Sequence, residues 1–234
     1  MKKYLLSTLA DGICVVLLSV CPILCYASAF SVKLESSVLI MAAVLFSIVF
    51  SLLSAFVKNN LKYALCMTVI AFVAFLVFVF ANERIFAQAN YAINKLLELY
   101  SVYLSVYSNI KFASYIANDA TGFFVLLSLI LNGLFSFLIS RIKSIKIAGL
   151  LSIALLVPCF VLVNTLPDLV PLLIIFTVLF ALYFSSQTRQ LNYAHSGVIT
   201  AVCAVILAVL ITVLAVINPV ADYERPKWQD NMLN

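Results

Sequence analysis

Seven long apolar runs constrain the fold of this chain more than any other feature. They are Ile13–Phe30, Ser37–Val57, Tyr63–Ala81, Gly122–Ser140, Ile147–Val163, Leu169–Ser185 and Val198–Ile217. An α-helix rises about 1.5 Å per residue, so a hydrocarbon core of roughly 30 Å requires about 20 mostly apolar residues. A membrane β-barrel would show shorter segments of alternating hydrophobicity. The runs therefore predict an all-α, polytopic membrane helix bundle with about seven transmembrane helices.

The composition agrees with membrane insertion and argues against several other classes. The chain is 65% hydrophobic and 10% charged, whereas soluble domains are about 45–50% apolar and about 25% charged. We interpret the net charge of +5 as loop residues that set orientation, with no nucleic-acid partner. All six cysteines fall within apolar runs and show no metal-ligand spacing, so we predict neither a disulfide framework nor a metal site.

The first run allows two interpretations. Lys2 and Lys3, the apolar run and Ala27-Ser28-Ala29 together are similar to a signal peptide with its cleavage site. Cleavage would leave six spans with unchanged orientation. An uncleaved first span is favoured, because the whole chain is equally hydrophobic.

The connection 82–121 is long and is predicted to contain a helix. Its apolar residues recur at spacings of three and four, at Ile93, Leu96, Leu97, Tyr100, Leu104 and Tyr107. That stripe is typical of an amphipathic helix. Because tyrosines favour the membrane–water boundary, we expect a helix that lies on the outer leaflet or caps the bundle. An aromatic surface for carbohydrate or lipid is the alternative.

Basic residues between the runs predict the orientation, since cytoplasmic loops carry an excess of Lys and Arg. With the N-terminus in the cytoplasm, the cytoplasmic ends hold Lys2, Lys3, Lys58, Lys62, Arg141, Lys143, Lys146 and Arg189, with Asp11 as the one nearby acid. The opposite side mixes Lys33, Arg84, Lys95, Lys111, Arg225 and Lys227 with the other acids, Glu35, Glu83, Glu98, Asp119, Asp168, Asp222, Glu224 and Asp230. Seven spans then place the C-terminus outside.

Few residues within the runs are candidates for chemistry. His195 lies near the cytoplasmic start of the last run, and Cys203 is about 12 Å further along a helix, too far for a Cys–His pair. Asp11 lies within reach of the interface. Asn132 is the one strongly polar residue deep in a run, and we expect it to form an interhelical hydrogen bond. No phosphate-binding or zinc-protease motif occurs in the sequence, so we assign no catalytic, cofactor-binding or metal residue and no cofactor.

The last quarter of the chain carries a resemblance to a known family. Leu166-Pro167-Asp168 is a turn between the fifth and sixth runs, Gln187-Thr188-Arg189-Gln190 is expected in a cytoplasmic loop, and the tail contains Asn218-Pro219 and Tyr223-Glu224-Arg225-Pro226-Lys227-Trp228. This pattern resembles the N-terminal membrane portion of bacterial transglutaminase-like membrane proteins. In that family an extracytoplasmic transglutaminase/papain-like domain, which holds the catalytic Cys, His and Asp, follows the bundle.

The resemblance implies a membrane domain, residues 1–217, and an extracytoplasmic linker, residues 218–234, in the bacterial cell membrane. The leading hypothesis is a membrane anchor and scaffold for a catalytic domain that would follow residue 234. A natural short form without the enzyme is also compatible with the sequence. The expected partners are the lipid bilayer and either such a domain or cell-envelope proteins. The alternatives are a small transporter subunit that pairs with an ATPase, or a membrane enzyme acting on lipid-linked substrates.

Overall fold

The structure, a computed structural model, describes residues 2–57, 59–104, 116–142, 144–161 and 167–190. Within these ranges the chain forms seven α-helices and no β-strand. The helices are α1 (Lys2–Ala29), α2 (Ser36–Phe56), α3 (Asn60–Phe80), α4 (Asn82–Leu104), α5 (Thr121–Ser136), α6 (Ile145–Val161) and α7 (Leu169–Gln190). A π-helical segment, Phe137–Ile142, continues α5. The prediction of an all-α helical bundle is confirmed.

The apolar runs account for most of the helices. Among the described residues, four helical stretches are long and apolar enough to cross a membrane: Asp11–Ala29, Ser36–Phe56, Leu61–Phe80 and Thr121–Ile142. The fifth and sixth predicted spans form shorter apolar stretches, Ile145–Phe160 and Leu169–Phe184. The seventh predicted span, Val198–Ile217, and the tail 218–234 lie outside the described residues.

Helix boundaries follow local chemistry, with one difference from prediction. The side chain of Asn59 accepts a hydrogen bond from the backbone N–H of Leu61 at 2.9 Å and so caps the start of α3. The last described helix, α7, continues to Gln190. The prediction that Gln187–Gln190 forms a loop was therefore wrong. Gln and Arg favour helices, and neither Gly nor Pro interrupts this segment.

Helix α1 lies at the centre of the bundle. It packs against α2, α5, α6 and α7, and α2 also packs along α5. In the apolar stretch of α1, 61% of the residues are buried, compared with 6% in the stretch of α3. Leu18, Cys25 and Phe30 are fully buried around this axis. The peripheral helix α3 contacts α2, α4 and α5.

Two sets of contacts define the ends of the bundle. At the first, which we call the Arg141 end, the π-helical segment meets the end of α2 and the start of α3 through Arg141, Val57 and Tyr63. At the second, the Tyr91 end, the α1–α2 connection meets α4 and the start of α5 through Lys33, Tyr91 and Ala120. Helices α2 and α5 therefore both run from the Tyr91 end to the Arg141 end, and α3 begins at the Arg141 end.

The predicted amphipathic helix is observed as α4, Asn82–Leu104. It packs against α3 and α5 near the Tyr91 end, and the rings of Phe86 and Phe78 join it to α3 with 4.9 Å between centroids. Small side chains, Ala87 and Ala92, are buried on its packed face. The last part of the predicted stripe, at Tyr107, lies outside the described residues.

Candidate functional site

The most deeply buried polar contact joins α5 to the central helix α1. The side-chain amide of Asn132 donates to Ser19 Oγ at 2.9 Å and to the backbone oxygen of Ser128 at 2.9 Å. The hydroxyl of Ser19 in turn donates to the carbonyl of Val16. Asn132, Ser19 and Ser128 are all 0% exposed. The predicted interhelical hydrogen bond of Asn132 is therefore confirmed.

Burial of the Asn132 side chain also has a cost in folding free energy. Among the described residues, Asn132 Oδ1 is buried and has no hydrogen-bond partner. An unsatisfied buried polar atom costs about 1–3 kcal/mol, which offsets much of the gain from the two amide bonds. Asn132 therefore fixes the register of α5 against α1 more than it adds net stability.

Replacing both Asn132 and Ser19 by Ala is expected to reveal a coupling of about 0.6–2 kcal/mol between them, because each loses the same interhelical bond. The measurement is the unfolding free energy of the solubilised protein in a double-mutant cycle. Ser128→Ala is the matched control, since its own hydroxyl bonds to the carbonyl of Val125 and not to Asn132. Coupling between Asn132 and Ser19 no larger than that between Asn132 and Ser128 would contradict this account.

Arg141 holds together three elements at the Arg141 end. Its Nη2 donates to the backbone oxygen of Ser54, in the last turn of α2, at 3.1 Å, and to that of Val57, the residue that follows α2. Its guanidinium carbon lies 4.5 Å from the centroid of the Tyr63 ring, a cation–π geometry. The carbonyls at the end of a helix have no intrahelical partner and carry negative partial charge. Arg141 therefore caps α2 from another helix.

The neighbours of Arg141 explain how it reaches this position. The ring of Tyr63 is fully buried, stacks on Phe137 with centroids 6.1 Å apart, and its hydroxyl lies 3.4 Å from Ser136 Oγ. The π-helical winding of Phe137–Ile142 changes the direction in which side chains leave the helix. Arg141 therefore leaves the helix from within the π-helical segment, at the point where it contacts α2 and Tyr63.

A second set of polar contacts attaches α4 to the Tyr91 end. Gln88 Oε1 accepts a hydrogen bond from the backbone N–H of Phe123 at 2.9 Å, in the first turn of α5. A Cβ at Gly122 would lie only 2.5 Å from that oxygen, so any larger residue there would displace the end of the Gln88 side chain. Thr121 Oγ1 accepts from the backbone N–H of Glu35 at 3.0 Å. The first bond satisfies one N–H group in the first turn of α5, and the second attaches the α1–α2 connection to the start of α5.

The remaining residues singled out from the sequence do not converge on one site. Asp11 lies in α1 and is partly exposed, whereas His195 lies outside the described residues. Cys21, Cys25 and Cys159 are buried free thiols. In the part of the chain that the structure describes, no group of three or more His, Cys, Asp or Glu residues could hold a metal ion.

Sequence reasoning did not identify Arg141 or Gln88 as contact residues. The sequence predicts Arg141 as a loop charge, because it follows directly after an apolar run. Its position within helical reach of that run was the available signal. Gln88 carries no sequence signal of its own, because its role depends on how α4 docks.

The chain matches no known family model, no curated protein and no solved structure.

Proposed function

We propose that the chain is an integral membrane protein whose helix bundle acts as an anchor and scaffold. The observation that carries this proposal is the large apolar side chains exposed on the outer faces of the bundle. Examples are Leu45 at 62% exposure on α2, Phe72 at 59% on α3 and Leu150 at 71% on α6. Exposing such a large apolar surface to water is unfavourable, whereas contact between this surface and lipid tails is favourable.

The distribution of charge supports the same proposal. Among the described residues, the Arg141 end carries the basic side chains of Lys62, Arg141 and Lys146, and Asp11 of α1 is the one acid near it. Lys33, Glu35, Asp119 and Asp168 belong to the connections at the Tyr91 end. We propose that the Arg141 end is cytoplasmic and the Tyr91 end extracytoplasmic, with α4 at the outer interface.

The scaffold role is supported by the buried or partly buried polar side chains that form hydrogen bonds between helices. Asn132, Arg141 and Gln88 all bond to other helices or to their ends. We also propose that α1 is retained rather than cleaved. Ala27 and Ala29, within the signal-peptide-like stretch, are buried, and removal of α1 would take away the helix against which α2, α5, α6 and α7 pack.

The resemblance to bacterial transglutaminase-like membrane proteins indicates which kind of domain the bundle would anchor. We propose a bacterial cell-membrane anchor for an extracytoplasmic catalytic domain of that type, joined through the linker 218–234. The direction of α7 supports it, because α7 runs from the Tyr91 end, where Asp168 bonds to Ser28 at 2.9 Å, and one further span would return the chain to that end.

Two experiments test the parts of this proposal separately. Resistance of the protein to extraction from membranes by alkaline carbonate is expected for a spanning bundle, and full release would contradict insertion. The coding sequence beyond codon 234 tests the catalytic domain. A Cys-His-Asp domain encoded there would support the proposal, whereas a stop codon would refute an anchored enzyme and leave insertion intact.

A further inference from the structure

One face of the central helix α1 is less buried than the others. Ile13 is 61% exposed, and Leu17 and Leu24, which follow at spacings of four and seven residues, are only partly buried. Residues at these spacings lie on the same face of an α-helix. Leu18 and Ser19, on other faces of α1, are fully buried. We call Ile13, Leu17 and Leu24 the α1 stripe.

Two helices flank the α1 stripe without closing over it. At the start of the stripe, Ser47 of α2 donates to the carbonyl of Gly12 at 2.9 Å. At the other end, the backbone N–H of Asp168, just before α7, donates to Ser28 Oγ at 2.9 Å. Within the described ranges, α2 and α7 both pack along α1 but make at most a minor contact with each other, whereas α5 and α6 close the opposite side of α1. The α1 stripe therefore forms the floor of an apolar groove between α2 and α7.

The sequence supplies an apolar segment of suitable length beyond α7. The run Val198–Ile217, which lies outside the described residues, is long enough to span a bilayer as a helix. Helix α7 ends at Gln190, so residues 191–197 join it to this run. A connection of that length reaches at most about 25 Å, and packed helices lie about 8–10 Å apart. The run can therefore reach the groove beside α7, but not the outer face of the peripheral helix α3.

The side chains of this run suit the groove on one face. Its alanines recur at spacings of three, four and seven residues, at Ala201, Ala204, Ala208 and Ala215. In a helix these positions share one face, and small side chains allow membrane helices to approach closely. The side chains of the α1 stripe would fill the space above the alanines. The opposite face of the run carries large apolar residues such as Ile206 and Val213, which suit contact with lipid.

We propose that residues 198–217 form a helix that docks in the groove between α2 and α7, with its alanine face against the α1 stripe. This inference rests on the proposed membrane insertion and deepens it by assigning an occupant to the open face of the bundle. Docking there would enclose α1 on all sides. Lipid tails and a second copy of the chain are the competing occupants, and the experiment distinguishes them.

The experiment places the photoreactive residue p-benzoylphenylalanine at position 13, in place of the exposed Ile13, in the full chain in bacterial membranes. Irradiation is expected to give an adduct within one chain, which mass spectrometry of peptides maps to residues 198–217. Phe72, 59% exposed on α3, is the matched control position. Because the connection after α7 is short, the yield of adduct with residues 198–217 from position 72 is expected to be at least about tenfold lower.

Two variants of the run test which of its faces docks. Ala208→Phe is expected to lower the adduct yield from position 13 by at least about threefold, because a large side chain on the alanine face would separate the helices. Ile206→Phe is the matched control on the opposite face, and it should change the yield less than about 1.5-fold.

The contrary outcomes separate this inference from the proposal of insertion. Adducts from position 13 to lipid alone, or adducts of twice the chain mass, would overturn it, because lipid or a second copy would then cover the α1 stripe. Equal yields from positions 13 and 72, or equal effects of Ala208→Phe and Ile206→Phe, would overturn it as well. Insertion stands in all these cases if the protein remains in carbonate-washed membranes. Its release by carbonate would refute the proposed function and this inference together.

Discussion

Replacing Arg141 by Met is expected to lower the unfolding free energy by about 2–4 kcal/mol. The variant loses hydrogen bonds from a charged donor to Ser54 and Val57, worth about 1.5–3 kcal/mol. It also loses the cation–π contact with Tyr63, worth about 0.5–2 kcal/mol. In addition, the last carbonyls of α2 would face an apolar side chain. Denaturation of the solubilised protein by SDS, followed by circular dichroism, measures the change.

Matched variants separate the contacts of Arg141 from its charge. Arg84→Met, the same substitution at an exposed arginine in α4, is expected to change stability by less than about 0.5 kcal/mol. Arg141→Lys keeps the charge but lacks the planar fork, so an intermediate loss is expected. A cycle of Arg141→Met with Tyr63→Leu should show coupling of about 0.5–2 kcal/mol. If Arg141→Met lowered the unfolding free energy no more than Arg84→Met, the contacts of Arg141 would contribute no more to stability than those of an ordinary surface charge, and this account would be contradicted.

Replacing Gly133 by Leu is expected to destabilise the bundle by at least about 2 kcal/mol. A Cβ at Gly133 would lie 3.0 Å from Met67 Cε and 3.3 Å from Phe50 Cζ, so a larger side chain would push against both α3 and α2. Overpacking of a filled interior costs about 1–3 kcal/mol and occasionally more. Gly133→Ala should be much milder, because the nearest atom is the flexible end of Met67.

Two further variants test the steric origin of this effect. Gly149→Leu is the matched control, since the nearest atom to a Cβ there is Leu179 Cδ2, at 4.0 Å. It is expected to change stability by less than about 1 kcal/mol. Met67→Ala introduced together with Gly133→Leu should recover part of the lost stability, because it removes the closest obstructing atom. Equal losses of unfolding free energy for Gly133→Leu and Gly149→Leu would show that the close packing around Gly133 does not limit the size of the side chain at this position.

The sequence predicts the helices well because length and apolar character suffice to define them. It does not predict which helix is central. The apolar stretch of α3 is more hydrophobic than that of α1, yet α1 is the buried one. Lipid and protein interior are both apolar, so hydropathy does not distinguish a lipid-facing helix from a core helix. The small and polar residues of α1, such as Gly12 and Ser19, are the signals that correlate with its packing.

The polar contacts were predictable to different degrees. Asn132 could be identified because an amide deep in an apolar run must find a partner. For Arg141 the sequence indicates only that it lies within helical reach of an apolar run, and its contacts involve a π-helical segment that no periodicity in the sequence indicates. Gln88 bonds to a backbone N–H across the bundle, 35 positions away in sequence. Such a contact depends on the docking of α4, which local patterns do not specify.

The central claim is that the Arg141 end and the Tyr91 end of a spanning bundle lie on opposite sides of a membrane. Alkaline phosphatase fused after Asn59, at the Arg141 end, and after Asn118, at the Tyr91 end, tests it most directly in a bacterial host. We expect high phosphatase activity only for the fusion after Asn118, because the enzyme is active only outside the cytoplasm. High activity from the fusion after Asn59, or equal activity from both, would contradict the account.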